Sequence, residues 1–190
     1  MRLENSRIAV IGGAGLIGSY IVEHLLREPV AEVVVFDNFL RGTRSNLANA
    51  AADRRARIVE VSITDREALT RELAGIDGVF LLASLWLGEC VAEPRSAWEV
   101  CTLGTWNVVE ACLAHGIKRV VYSSSASVYG NALAVPMTEE HPFNNVTTYG
   151  ATKIACEQMF RAVYAQHRLP YVANRYMNVY GPRMDHKGTY

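Results

Sequence analysis

The chain of 190 residues reads as an α/β protein, a doubly wound parallel sheet. Three observations predict this class. Short β-branched runs alternate with longer segments of helical period along the whole sequence. The runs are continuously apolar, as strands buried on both faces require. A glycine-rich turn joins the first run to the first helical segment. Strand-helix alternation of this kind implies parallel pairing with right-handed crossovers.

The elements follow in order. Residues 8–11 (Ile-Ala-Val-Ile) form a short buried strand and 16–27 a helix. Residues 32–36 are the second strand, 57–61 the third and 65–73 the next helix. Residues 78–82 are the fourth strand, followed by one long helix over 96–115. Residues 119–122 are the fifth strand, 149–167 a long helix and 171–175 the sixth strand. Between the fifth strand and its helix, 131–147 carries two prolines and reads as a loop. There is no internal repeat and no low-complexity linker.

Half of the residues are apolar, 20% are charged, and the formal net charge is zero. That balance argues against a nucleic acid or an acidic membrane surface as partner. No apolar run approaches the ~20 residues of a membrane span. The N-terminal residues 1–7 are mixed in charge and lack a signal-peptide core. Cys90, Cys101, Cys112 and Cys156 show no CxxC or zinc-like spacing, so they read as packing thiols in a reducing cytoplasm. The five histidines are scattered and read as surface residues, and no metal site is expected.

The turn Gly12-Gly13-Ala14-Gly15-Leu16-Ile17-Gly18 satisfies both G-x-x-G-x-x-G and G-x-G-x-x-G. Glycines here permit a tight turn, close approach of a pyrophosphate and close helix-strand packing. Asp37 ends the second strand 19 residues after Gly18. A carboxylate there takes both ribose hydroxyls and repels a 2′-phosphate, which favours NAD over NADP. Arg41 and Arg44 nearby pull the other way.

Tyr149 and Lys153 stand four residues apart, with Ser125 upstream in a run of three serines. On a helix that spacing puts phenol and ammonium on one face. A neighbouring cation favours a phenolate, and a serine hydroxyl can hydrogen-bond the oxygen whose proton moves. The set suits acid–base work in oxidising an alcohol or reducing a ketone. Alone, a YxxxK pattern is common and describes many surface helices.

With these motifs together, the chain resembles the extended short-chain dehydrogenase/reductase family, in particular its NAD-dependent nucleotide-sugar epimerases and dehydratases. The resemblance rests on 12–19, Asp37-Asn38, Leu103-Gly104-Thr105, 123–130, Tyr149-x-x-x-Lys153 and 175–182. It implies a Rossmann sheet with the C-terminal substrate lobe absent or only begun, 1–178 forming the NAD domain and 179–190 the start of that lobe. The 190-residue piece is accordingly expected to bind NAD weakly and not to turn over. Tyr149 is implied as the general base, Lys153 as the ribose-holding cation, and Ser125 as the bridge between substrate hydroxyl and Tyr149. Gly12, Gly15, Leu16, Ile17, Gly18, Asp37, Asn38, Ser62, Ile63, Ala83 and Ser84 are implied to contact NAD alongside Tyr149 and Lys153. Tyr176 and Asn178 are implied to border the nucleotide-sugar pocket. The helices 96–115 and 149–167 are implied to pair across a homodimer.

Dehydratases of this family place an Asp-Glu pair after the catalytic hydroxyl residue, where this chain has Ala126 and Ser127. Neither moves protons at neutral pH, which leaves epimerisation, usually at C4 of a UDP-hexose. The alternatives are a sugar-nucleotide dehydrogenase or reductase and a non-catalytic dinucleotide-binding scaffold. Four departures from the family pattern stand out: Ser62 for an adenine-side carboxylate, Leu81-Leu82-Ala83 for His-x-Ala, Cys101 for asparagine, and Leu85-Trp86-Leu87-Gly88 where a lysine is usual. None of them is expected to touch the Ser-Tyr-Lys set, while Trp86 leaves the sugar open.

Overall fold

The structure is a computed structural model and describes residues 1–185. Six strands form one parallel sheet: β1 (Arg7–Ile11), β2 (Glu32–Asp37), β3 (Ala56–Glu60), β4 (Gly78–Leu81), β5 (Arg119–Ser125) and β6 (Tyr171–Tyr176). Their spatial order is β3-β2-β1-β4-β5-β6. The order reverses between β1 and β4, the kind of switch point beyond whose strand ends open α/β sheets bind their ligands.

The reason the strands read as unbroken apolar runs is visible in β1. Ile8 and Val10 pack on one face with Val33, Val35, Val22, Leu25 and Leu47. Ala9 and Ile11 pack on the other with Val34, Phe36, Val79, Leu81, Val108 and Val120. The first face is covered by α1 (Leu16–Leu25) and the short α2 (Ala48–Ala51). The second is covered by α3 (Arg66–Glu72), α6 (Gly104–Ala114) and α7 (Thr148–His167). Burying each of these Val, Ile, Leu or Phe side chains contributes about 1.5–3 kcal/mol.

Several elements differ from the sequence reading, among them α2, which falls in a stretch for which the sequence predicts no element. The single helix expected over 96–115 is divided into α5 (Pro94–Ala97), a π-helical stretch (Trp98–Leu103) and α6. At the junction Gly104 lies so close to Ile63 that an added Cβ would sit 2.7 Å from Ile63 Cγ2. β5 continues three residues past 122, because Ser123, Ser124 and Ser125 pair in register with Asn174, Arg175 and Tyr176. A further helix, α4 (Leu87–Ala92), follows β4 in a stretch that carried no helical signal. After β6 the chain returns across α1. Tyr20 Oη donates to Pro182 O at 3.4 Å, and Arg183 pairs with Glu23 at 2.6 Å.

Candidate active site

Gly12 leaves β1 at φ +83°, and an added Cβ would lie 2.5 Å from Ala83 N at the end of β4. At Gly18 a Cβ would lie 2.3 Å from Gly12 O. Both contacts are with backbone, so neither can yield. Gly15 differs: a Cβ there meets only Gly12 O, at 3.5 Å. Gly15 is the N-cap of α1 and offers no side-chain cap, so the N–H groups of Leu16 and Ile17 in the first turn suit an anion. The open side of Gly15 and this helix end together fit a dinucleotide diphosphate.

Asp37 is 8% exposed at the end of β2. Its Oδ2 accepts from Ala14 N and its Oδ1 from Phe39 N, each at 2.8 Å. A carboxylate has about four acceptor sites, so two ribose hydroxyls can still be received. Asn38 is exposed and its Oδ1 accepts from Leu40 N, which shapes the same loop. Ala83 is fastened by its N–H to Ile11 O at 2.9 Å. Ser62 Oγ shares a hydrogen with Thr64 Oγ1 at 2.8 Å and accepts from Thr64 N. Ile63 is buried, and its carbonyl accepts from Asn107 Nδ2.

Ser125 ends β5, and Tyr149 and Lys153 lie on the first turns of α7, which packs against that strand. Thr147 caps α7, its Oγ1 accepting from Gly150 N at 3.0 Å, which places Tyr149 in the first turn. Lys153, one turn on, is 3% exposed. Its Nζ donates to Ser123 O at 2.9 Å and lies 5.4 Å from the centroid of the Tyr149 ring. An ammonium has three donors, so Lys153 retains capacity for ribose hydroxyls. Ser125 Oγ accepts from Ser127 N and donates to Ser127 Oγ, both at 3.1 Å.

A buried ionic network fixes α7 to β5 and β6. Ser124 Oγ donates to Glu157 Oε1 at 2.5 Å, and Arg175 pairs with the Glu157 carboxylate at 2.8 Å. Arg175 Nη1 also donates to Tyr129 Oη and to Glu139 O, each at 2.8 Å, so it ties down the 131–147 loop as well. The Glu157 carboxylate raises the Arg175 pKa further. His141 corrects the surface reading of the histidines: it is 8% exposed, its Nε2 accepts from Leu133 N, and its Nδ1 hydrogen-bonds Pro142 O. A cavity of about 1380 Å³ opens beyond β6, lined in part by Tyr129, Glu157, Arg175 and Tyr176. Tyr176 lines that cavity and is the partner in register of Ser125. Asn178 is exposed beyond the strand.

The departures are not all remote from the trio. Cys90, Ala97 and Cys101 form a small buried cluster, and Tyr149 and Leu85 pack directly on it. Cys101 Sγ meets Ser84 Oγ at 3.3 Å and accepts from Leu85 N at 3.4 Å. Hydrogen bonds from Cys90, Ser84 and Leu85 lower the Cys101 thiol pKa, against burial, which raises it. The sequence shows only a cysteine where asparagine is usual; the structure makes it part of the wall behind Tyr149. Trp86 turns toward Arg41, whose guanidinium lies 5.0 Å from the indole centroid. Among the described residues there is no cluster of His, Cys, Asp or Glu able to hold a metal ion, and no helix long and apolar enough to cross a membrane.

Comparison with known proteins agrees with this arrangement. Residues 8–190 match the NAD dependent epimerase/dehydratase family. A UDP-glucose 4-epimerase of Streptomyces lividans is 34% identical over 181 residues, covering 93% of this chain and 53% of the relative. The chain thus spans about half the length of the curated relatives it matches. Among solved structures, a UDP-N-acetylglucosamine 4-epimerase from Methanobrevibacter ruminantium M1 superposes with TM-score 0.92 at 34% identity, covering 98% of this chain and 59% of that one. A dTDP-glucose 4,6-dehydratase from Streptomyces venezuelae, solved with NAD bound, superposes with TM-score 0.89 at 34% identity, covering 94% and 57%. From the glycine turn to the sixth strand, the chain belongs to the NAD-dependent epimerase/dehydratase family of extended short-chain dehydrogenases/reductases.

Proposed function

We propose that this chain carries the NAD site and the proton-transfer residues of a nucleotide-sugar epimerase acting at C4 of a UDP-hexose. The observation that carries the reading is that Lys153 Nζ reaches Ser123 O, two residues before Ser125 on β5, while lying 5.4 Å from the centroid of the Tyr149 ring. Bound NAD supplies a hydride acceptor that returns the hydride within the same cycle. Tyr149 takes the proton of the C4 hydroxyl as the hydride leaves C4. The Lys153 charge offsets the negative charge left on the phenolic oxygen, and Ser125 hydrogen-bonds the sugar oxygen. Tyr149 would give the proton back to the sugar oxygen at the end of the cycle, so that C4 is inverted without net oxidation. Asp37 and Asn38 would hold the adenosine ribose, Ser62 and Ile63 the adenine, and Gly12, Gly15, Leu16, Ile17 and Gly18 the diphosphate. Ala83 and Ser84 form the wall at the end of β4, and Tyr176 and Asn178 border the sugar.

The dehydratase relative makes the choice between the two chemistries a real one. Elimination of water needs a further acid and base beside the trio. Here Ala126 has no titratable group, and the Ser127 hydroxyl is taken up with Ser125. This favours epimerisation. Residues 1–178 are assigned to the NAD domain and 179–185 to the start of a substrate lobe, whose remaining expected residues, 186–190, lie outside the described residues. The exposed apolar side chains Trp98, Leu103 and Tyr164 support a homodimer formed through the 96–115 and 149–167 helices. Four free thiols suit a reducing cytoplasm.

The test supplies the protein carrying this chain with a UDP-hexose and catalytic NAD and follows both sugar product and reduced-nicotinamide absorbance. An epimerase makes the C4 epimer with no net NADH. Stoichiometric cofactor reduction would instead identify a dehydrogenase, and binding without product a scaffold.

A further inference from the structure

Asp37 and Glu60 are partners in the β2–β3 register, so their side chains leave the sheet on the same face at its carboxyl edge. Asp37 is drawn inward by the N–H groups of Ala14 and Phe39. Glu60 stays 62% exposed and pairs with Arg44 Nη2 at 2.5 Å. The Arg44 guanidinium also lies 4.3 Å from the centroid of Phe39, a residue held at φ +56°. Arg41, the other arginine of this loop, stacks on Trp86 and pairs with Asp185. The carboxylate beside Asp37 is thus the one that engages Arg44.

We infer that Glu60 is a second cofactor-selecting residue, which disfavours 2′-phosphorylated dinucleotides by adding negative charge beside Asp37 and by occupying Arg44. The inference rests on the proposed reading that Asp37 faces the adenosine ribose. A 2′-phosphate, like any phosphomonoester, carries close to two negative charges at neutral pH and would meet two carboxylates. The guanidinium best placed in sequence to receive it is occupied by one of them. Guanidinium groups bind phosphate bidentately, so releasing Arg44 converts a spectator into a phosphate ligand. Exposed ion pairs are weak, so Glu60 biases the choice severalfold and does not enforce it alone.

Binding calorimetry with NAD and NADP separates the parts. Glu60→Gln is expected to bind NADP about 3–10-fold more tightly than the wild-type chain, with NAD affinity changed less than about twofold. Adding Arg44→Ala to Glu60→Gln should remove most of that gain, and raising the salt concentration should shrink it. Both substituted residues, Glu60 and Arg44, are exposed, so folding is not at stake. NADP affinity unchanged by Glu60→Gln, while NAD still binds, would overturn the inference. A gain that survives Arg44→Ala would overturn the role given to Arg44. Failure of the wild-type chain to bind either dinucleotide would instead remove the cofactor reading on which the inference stands.

Discussion

Replacing Gly15 by alanine separates binding from folding. Gly15 has φ −74° and ψ 177°, which any residue adopts, and an added Cβ is 3.5 Å from its nearest protein atom. Alanine in place of glycine at a compatible position gains about 0.4–1 kcal/mol through the unfolded chain. It loses a comparable amount because alanine is a poorer N-cap than glycine. Stability should therefore change by less than about 1 kcal/mol. The new methyl, however, projects into the open side of the turn where the diphosphate approaches the α1 N-terminus. Holding that group off costs one or two hydrogen bonds to a charged ligand, each about 1.5–3 kcal/mol, so NAD should bind about 10- to 10⁴-fold more weakly. The comparison is Gly18→Ala, where a Cβ 2.3 Å from Gly12 O forces the turn itself to move. Gly18→Ala should lose both stability and binding. Thermal denaturation without ligand and calorimetric titration with NAD report the two effects independently. A Gly15→Ala chain that binds NAD as tightly as wild type would refute the path drawn for the diphosphate.

Other consequences are as direct. Glu157→Ala leaves Arg175 and Ser124 without their carboxylate; with Arg175 still 22% exposed, the loss should sit near about 3 kcal/mol in urea unfolding, and a loss below about 1 kcal/mol would show that the network contributes little. Asp77 accepts from Lys118 Nζ at 2.6 Å and from Arg7 N, and these bonds hold its carboxyl below the ordinary value of 3.8. A carboxyl depressed in the folded state stabilises fully above its unfolded value and loses that contribution as pH falls through the folded one. The stability gap between wild type and Asp77→Asn should therefore narrow as unfolding is measured from about pH 5 down to about pH 2, and a gap that widened on acidification would contradict the assignment.

What the sequence discloses and what it conceals follow from where the information lies. The glycine turn and the Tyr149/Lys153 spacing are legible because each is set by a few consecutive residues and one backbone geometry. The sheet is legible because β1, β2 and β4 are buried on both faces and written almost entirely in apolar residues. The end of β5 is hidden because three serines have no strand signature; only pairing with 174–176 makes them one. The Ser124–Glu157–Arg175 network joins three separate elements and exists only once the fold has formed. His141 looks like one more scattered histidine until its two ring nitrogens are seen to close the 131–147 loop. Cys101 is visible as an unusual residue, but its place behind Tyr149 depends on the π-helical stretch, which has no local signal that apolar periodicity detects.

The central claim, that Tyr149 moves the proton in an NAD site built by this sheet, is tested most directly by Tyr149→Phe in the protein carrying this chain. Turnover of the UDP-hexose should fall by about 10²–10⁴-fold or more while NAD affinity stays within about twofold, since only the phenolic oxygen is removed. Turnover that survives the substitution would contradict the claim.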